Sequence, residues 1–369
     1  MSFDYSRLAP EYVRAIAPYQ PGKPISELER ELGISGIVKL ASNENPLGAS
    51  PKALEAAHAA LSEIGLYPDG NGFALKDAIA RRYTVSHPQI VLGNGSNDLL
   101  ELSARAFLTA GEKAVYSAHA FAVYALATQA AGAEGIAVPA RQFGHDLEAM
   151  KAAAVEQQAK MVFVANPNNP TGTFLSGESL RGFLETLPGN ILVVLDEAYN
   201  EYLPESCRYD SVSWLADFPN LIVSRTFSKA YGLASLRVGY ALMHPQVADM
   251  LNRVRQPFNV NSPAQAAAVA ALQDADFVKQ TFELNRRGMQ QIEAGLRALG
   301  LEYIPSYGNF ISFRIPNALR IYQRLLELGV IVRPIANYEM PDWLRVSIGL
   351  EMENGKFLSA LKQAQGEQA

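Results

Sequence analysis

Lys229 stands in Ser228-Lys229-Ala230-Tyr231-Gly232-Leu233, between the short apolar run Leu221-Ile222-Val223-Ser224 and Arg237. An ammonium set just after a buried strand, among hydroxyls and a guanidinium, does little for a core. It suits an aldehyde ligand that also carries a phosphate. A second charged group holds a matching place upstream, where Ile191-Leu192-Val193-Val194-Leu195 ends in Asp196-Glu197-Ala198-Tyr199. A carboxylate at the exit of a strand buried on both faces needs a cation nearby. Taken singly, Lys229 reads as a solvated loop lysine and Asp196 as a strand-end residue capping a turn. The reading changes because two further unusual loops also follow apolar runs directly.

The first is Gly93-Asn94-Gly95-Ser96-Asn97-Asp98, between Ile90-Val91-Leu92 and the apolar helical stretch Leu99 to Phe107. Glycines allow a tight turn, and the helix that follows aims unpaired N–H groups and its positive dipole end at whatever sits there, which favours phosphate. The plainer reading makes Ser96 an ordinary N-cap. The second loop is Asn166-Pro167-Asn168-Asn169-Pro170-Thr171-Gly172, after Lys160-Met161-Val162-Phe163-Val164. Two Asn-Pro steps, each open to a cis bond, make a rigid turn able to aim an amide side chain.

Taken together and in order, these four loops resemble the fold type I pyridoxal-phosphate aminotransferases. The resemblance runs over nearly the whole chain. Within that superfamily the sequence is most similar to the histidinol-phosphate aminotransferase family, through Leu40-Ala41-Ser42-Asn43-Glu44-Asn45-Pro46-Leu47-Gly48, Leu66-Tyr67-Pro68-Asp69, Ser224 to Arg237, and Trp343-Leu344-Arg345-Val346-Ser347-Ile348-Gly349.

The resemblance implies a pyridoxal 5'-phosphate cofactor and a role for each matching residue. Lys229 holds the cofactor's aldehyde covalently, is displaced by the incoming amino group, and then moves the proton. Asp196 keeps the ring nitrogen protonated. Tyr199 and Asn169 donate to the cofactor's phenolic oxygen. Gly95, Ser96 and Asn97 bind the phosphate through the backbone, with Thr226, Ser228 and Arg237. Tyr67 reaches the cofactor phosphate of a neighbouring subunit, which implies a homodimer with shared active sites. Phe121 takes the place of a ring-stacking tyrosine; stacking survives that change and a hydroxyl does not. Asn97-Asp98 also departs from the family's usual acidic pair, with little effect expected where backbone N–H groups do the binding. Arg345, Arg333 and Asn43 are the candidate substrate contacts, a guanidinium fork being suited to either carboxylate or phosphate. No metal site is implied.

The implied activity is transfer of an amino group between L-histidinol phosphate and 2-oxoglutarate, giving imidazole-acetol phosphate and L-glutamate, in histidine biosynthesis. An aromatic amino-acid aminotransferase or a phosphothreonine decarboxylase on the same scaffold is the near alternative. A cofactor-sensing transcription regulator would need an appended basic winged-helix domain, whereas the resemblance starts within the first fifty residues.

The elements that must position these loops are short apolar runs separated by helical segments: Ile90 to Leu92, Ala114 to Tyr116, Met161 to Ala165, Ile191 to Leu195, Leu221 to Ser224, and Val238 to Met243. That alternation predicts an α/β fold with a mainly parallel sheet covered by helices on both faces. Ligands of such sheets sit at the carboxyl ends of the strands, where all four loops fall. After about Val260 the character changes. Asn261-Ser262-Pro263 opens an alanine-rich helix, and Leu284, Gly288, Ile292, Leu296 and Leu299 mark a long amphipathic one whose stripe reads as core. Strands at Asn309 to Ile315, Val330 to Arg333 and Leu344 to Ile348, with helices near Ala318 to Leu328 and Glu353 to Ala364, predict a smaller α+β domain. The expected division is an N-terminal arm and part of the small domain over 1–42, a large cofactor-binding domain over 43–260, and a small domain over 261–369.

The chain has 369 residues, 49% apolar and 19% charged, with a net charge of −5, enough for real cores and contrary to a nucleic-acid surface. Cys207 is the only cysteine, so no intrachain disulfide forms and a reducing compartment is expected. Residues 1–20 lack the apolar core of a signal peptide, and no run approaches a membrane span. The expected location is the cytoplasm, with small-molecule substrates as partners and no membrane.

Overall fold

The computed structural model describes residues 3–18 and 22–366. Its strands in chain order are β1 (Val38–Lys39), β2 (Ile90–Gly93), β3 (Lys113–Ser117), β4 (Glu134–Val138), β5 (Met161–Ala165), β6 (Leu192–Asp196), β7 (Leu221–Thr226), β8 (Gly239–Met243), β9 (Tyr303–Ile304), β10 (Phe310–Arg314), β11 (Val330–Ile331), β12 (Arg333–Pro334) and β13 (Trp343–Ser347). Seven form one sheet in the order β2-β8-β7-β6-β5-β3-β4. Strand β8 runs antiparallel to both its neighbours, and the other pairs are parallel. Two antiparallel pairings in succession leave β2 parallel to β7. The carboxyl ends of β2, β5, β6 and β7 therefore share one edge, and the amino end of β8, just after Arg237, joins them.

The continuous apolar runs have a direct cause. Successive side chains of a strand point to opposite faces. Val162, Val164, Val193, Leu195 and Val223 enter one core, while Met161, Phe163, Val194 and Ile222 enter the other. A strand buried on both faces has no polar positions to alternate. The edge strand β4 obeys the reverse logic and escaped the sequence reading: Glu134-Gly135-Ile136-Ala137 is partly or fully exposed, so no apolar run marks it.

A second sheet, β12-β13-β10-β9, is antiparallel. Its core takes Phe313, Leu344 and Val346 from the strands, Ile292 and Leu296 from the helix Ala275–Ala298, and Phe357 and Leu361 from the helix Glu351–Gly366. Of the predicted stripe, Gly288, Ile292 and Leu296 are buried, while Leu284 and Leu299 are only partly covered. The two-residue strands β1 and β9 were too short to show a pattern. β1 pairs in parallel with β11. Leu40 joins the core of the second sheet, and Leu28 and Ala41 pack with Ile331, so residues 28–41 lie against this part of the molecule, whereas the turn Glu11–Arg14 packs on the helix Val123–Ala130 beside the large sheet, with Gln129 Nε2 donating to the Tyr12 carbonyl.

Candidate active site

The loops at the common sheet edge line one pocket of ≈ 220 Å³, together with Ser42, Asn43, Arg333, Tyr338 and Arg345. At one end the helix Ser96–Phe107 begins. Its N-cap is Gly95, not Ser96, with φ of 85°, a conformation glycine adopts without strain. A side chain at Gly95 would collide with the Arg237 guanidinium. That guanidinium donates to Ser228 Oγ at 3.2 Å and to the Ala234 carbonyl at 3.0 Å. Thr226 Oγ1 accepts the Ser228 N–H at 3.1 Å. Helix N–H groups, hydroxyls and a fixed cation thus converge on one small volume, an arrangement suited to a phosphate dianion. Asp98 turns its carboxylate back onto the Asn94 N–H and the Asn259 amide, both at 2.8 Å.

Asp196 ends β6, 5% exposed, and its Oδ2 accepts from the Tyr124 hydroxyl at 2.9 Å. Among the described residues nothing hydrogen-bonds its Oδ1. Burial pushes its carboxyl up to about 6, against the lowering effect of Tyr124. The sequence reading wanted a cation for this carboxylate. In the structure the guanidinium of Arg225 goes instead to Glu197 next door, at 2.8 and 2.9 Å. Asp196 itself has a hydroxyl partner and one oxygen left for a ligand.

Lys229 donates to the Ser42 carbonyl at 3.1 Å and lies 5.8 Å from the centre of the Tyr199 ring. Burial, and then the charge of Arg345, lower its ammonium to about 8. Part of the lysine is therefore the nucleophilic free amine at neutral pH. Tyr199 accepts from Asn43 Nδ2 at 2.9 Å, and burial holds its phenol up to about 12, so it keeps its proton.

Arg345 sits on β13, 6% exposed, and donates to Asn169 Oδ1 and, at 2.8 Å, to the Ala41 carbonyl. Its guanidinium lies 5.2 Å from the centre of the Phe310 ring. Arg333 on β12 stands directly opposite Arg345 in the antiparallel register. Phe121 lines the pocket, its ring edge-on to Tyr124 at 5.9 Å. Tyr67 is not among the pocket residues of its own chain: it is 83% exposed and stacks on Phe258 at 4.8 Å. The sequence reading missed Tyr124, the Ser42 carbonyl, Ser347 and Tyr338. Tyr124 alone left a trace, as the one polar ring in the apolar stretch Val123-Tyr124-Ala125-Leu126.

Sheet topology and this lysine, carboxylate and anion cradle define a fold type I pyridoxal-phosphate aminotransferase. The family model for aminotransferase class I and II matches residues 35–361. Histidinol-phosphate aminotransferase of Methylobacillus flagellatus is 62% identical over 357 residues, covering 96% of each chain. Histidinol-phosphate aminotransferase 2 of Nitrosospira multiformis is also 62% identical, over 96% of this chain and 91% of that one. The crystal structure of the Sinorhizobium meliloti histidinol-phosphate aminotransferase, in complex with pyridoxal-5'-phosphate, superposes with a TM-score of 0.90 at 31% identity, over 97% of this chain and 98% of that one. The chain belongs to the histidinol-phosphate aminotransferase family, within the class I and II aminotransferases.

The pocket also fits the cofactor on its own observations. It has an anion cradle that a Cβ at Gly95 would fill, a buried carboxylate oxygen without a partner, and a depressed lysine.

Proposed function

We propose that this chain interconverts L-histidinol phosphate plus 2-oxoglutarate and imidazole-acetol phosphate plus L-glutamate, with pyridoxal 5'-phosphate as cofactor, in histidine biosynthesis. The observation that carries the reading is one pocket lined by two separate groups of cations. Arg237 and the helix start at Ser96 serve the cofactor phosphate. Arg345 and Arg333, opposite each other on neighbouring strands, serve the substrate's anion. A planar fork accepts the carboxylate of glutamate and the phosphate of histidinol phosphate in turn.

When bound, the cofactor supplies an aldehyde that joins amines and a ring that draws electron density from the substrate carbon. Asp196 would hold the ring nitrogen's proton. Lys229 would bind the aldehyde and would serve as the acid and base for the substrate's proton, for which a value near 8 suits it. Tyr199 and Asn169 would hold the phenolic oxygen, and Phe121 would pack beside the ring.

We further propose a homodimer in which Tyr67 completes the neighbouring pocket. Its exposed ring stacks on the exposed Phe258, and Ile64 and Leu66 just before it in the chain are exposed as well, which supports a covered face. The expected boundary near residue 260 is drawn too early, since the helix Ser262–Leu272 packs its alanines into the large-sheet core; we place the division after it, with residues 28–41 on the small domain and the turn Glu11–Arg14 on the large one. A cytoplasmic setting suits the single cysteine. Among the described residues no helix is long and apolar enough to cross a membrane.

The test is a half-reaction screen, in which the cofactor-loaded protein is mixed with single amines and loss of its visible absorbance is followed. Histidinol phosphate and glutamate are expected to react fastest. Preference for an aromatic amino acid, or carbon dioxide release from phosphothreonine, would favour the alternatives.

A further inference from the structure

Asn43 sits at the meeting point of the two sheets, 1% exposed, with φ of 55°, a left-handed conformation that asparagine tolerates better than most residues. Its backbone is held from the side of the second sheet. Asn43 N–H donates to Ser347 Oγ at 2.8 Å, and Asn309 Nδ2 donates to the Asn43 carbonyl at 3.0 Å. Two residues earlier the Ala41 carbonyl accepts from Arg345, and the Leu40 carbonyl accepts the Ser347 N–H at 2.8 Å.

The hydrogen-bond directions follow by counting protons. Ser347 Oγ accepts the Asn43 N–H and sends its own proton to Asn43 Oδ1 at 3.0 Å; with the amide turned over, Oγ would accept from both Asn43 groups and its proton would lose that acceptor. That fixes the amide, because the oxygen faces Ser347 and the NH2 faces Tyr199. Tyr199 therefore accepts from Asn43 and must send its own proton elsewhere, and Tyr199 lines the pocket.

We propose that Ser347 and Asn43 are positioning residues that set the hydrogen-bond polarity of Tyr199, making it an obligatory donor into the pocket. This rests on the cofactor site proposed above. Without the Ser347 hydroxyl the Asn43 amide loses the contact that orients it and can turn its oxygen toward Tyr199. The phenol then donates to Asn43 and no longer to the ligand. Ser347, 4% exposed and outside the pocket lining, acts only through Asn43.

The experiment titrates the visible absorbance of the cofactor-loaded protein with pH, with no substrate present, in wild type, Ser347→Ala, Ser347→Thr, Tyr199→Phe and the Ser347→Ala/Tyr199→Phe double variant. Losing one neutral hydrogen bond to the ionised ligand oxygen should raise the midpoint by about one pH unit. Ser347→Ala is expected to show that rise, Ser347→Thr to restore the wild-type midpoint, and the double variant to match Tyr199→Phe alone. An unchanged midpoint in Ser347→Ala overturns the proposal, as does an equal shift with and without the Tyr199 hydroxyl. A wild-type protein that develops no visible band would overturn the cofactor site and the relay together. A wrong substrate assignment leaves every one of these readings intact.

Discussion

The Tyr124 hydroxyl donates to Asp196 Oδ2 at 2.9 Å, while the Tyr124 ring stacks on Phe163 at 4.9 Å. One carboxylate oxygen is thereby fixed, while the other is buried and without a hydrogen-bond partner among the described residues, on a residue that lines the pocket. A hydrogen bond to a buried charge is worth about 1.5–3 kcal/mol. Tyr124→Phe should therefore weaken cofactor binding by roughly 10- to 100-fold and move the acid limb of the pH–affinity profile upward. Titration of the apoprotein with pyridoxal phosphate between pH 5 and 8 checks this; an unmoved acid limb would assign Tyr124 to packing alone.

Asp196 is also a stability term. Its folded-state value, about 6, lies above the ordinary 3.8 because of burial. The folded apoprotein thus binds more protons than the unfolded chain, and this residue's contribution is fully present below about pH 4 and lost as pH rises through 6. Ionised in its buried position, the Asp196 carboxylate of the apoprotein costs roughly 3 kcal/mol at neutral pH. Asp196→Asn removes that cost. The variant apoprotein should melt higher than wild type at pH 7 and lack the decline between pH 4 and 6, while turnover drops by orders of magnitude. Identical melting profiles in the two proteins would remove Asp196 from the buried site.

Arg345 holds Asn169 and the Ala41 carbonyl, yet its guanidinium also lines the pocket. Arg345→Lys should weaken both half-reactions, because the charge remains and the fork is lost. Arg345→Ala should cost about 2–5 kcal/mol with glutamate, at least tenfold in kcat/KM, and much less with a neutral amino donor. Equal losses for both donors would make the residue structural.

Tyr67 stands away from its own pocket, stacked on Phe258. If it completes a partner's site, mixing Tyr67→Phe with Lys229→Ala subunits gives hybrids in which one site carries both lesions and the other carries neither. Hybrids with activity per near-normal site are expected; simple additive loss would contradict sharing.

The strands carrying the site were legible because burial on both faces writes itself as an unbroken apolar run, as in Met161 to Ala165. The loops were legible because glycine, proline and asparagine are placed by backbone geometry. Partnerships were not. Lys229 rests on the Ser42 carbonyl, a group every residue has, and Asn43 meets Ser347 from the far end of the chain. Such contacts leave no local pattern. Tyr124 was hidden differently, since a tyrosine in an apolar helix reads as core until its hydroxyl is seen to face a carboxylate.

Amino-group transfer from histidinol phosphate at Lys229 can be followed by mixing cofactor-loaded wild type and Lys229→Ala with L-histidinol phosphate and recording the visible band in a single turnover. Rapid loss of the band is expected in wild type, restored by 2-oxoglutarate, with no such cycle in a folded Lys229→Ala protein. A variant that still cycles near the wild-type rate, or a wild type inert to histidinol phosphate, would contradict transfer at Lys229.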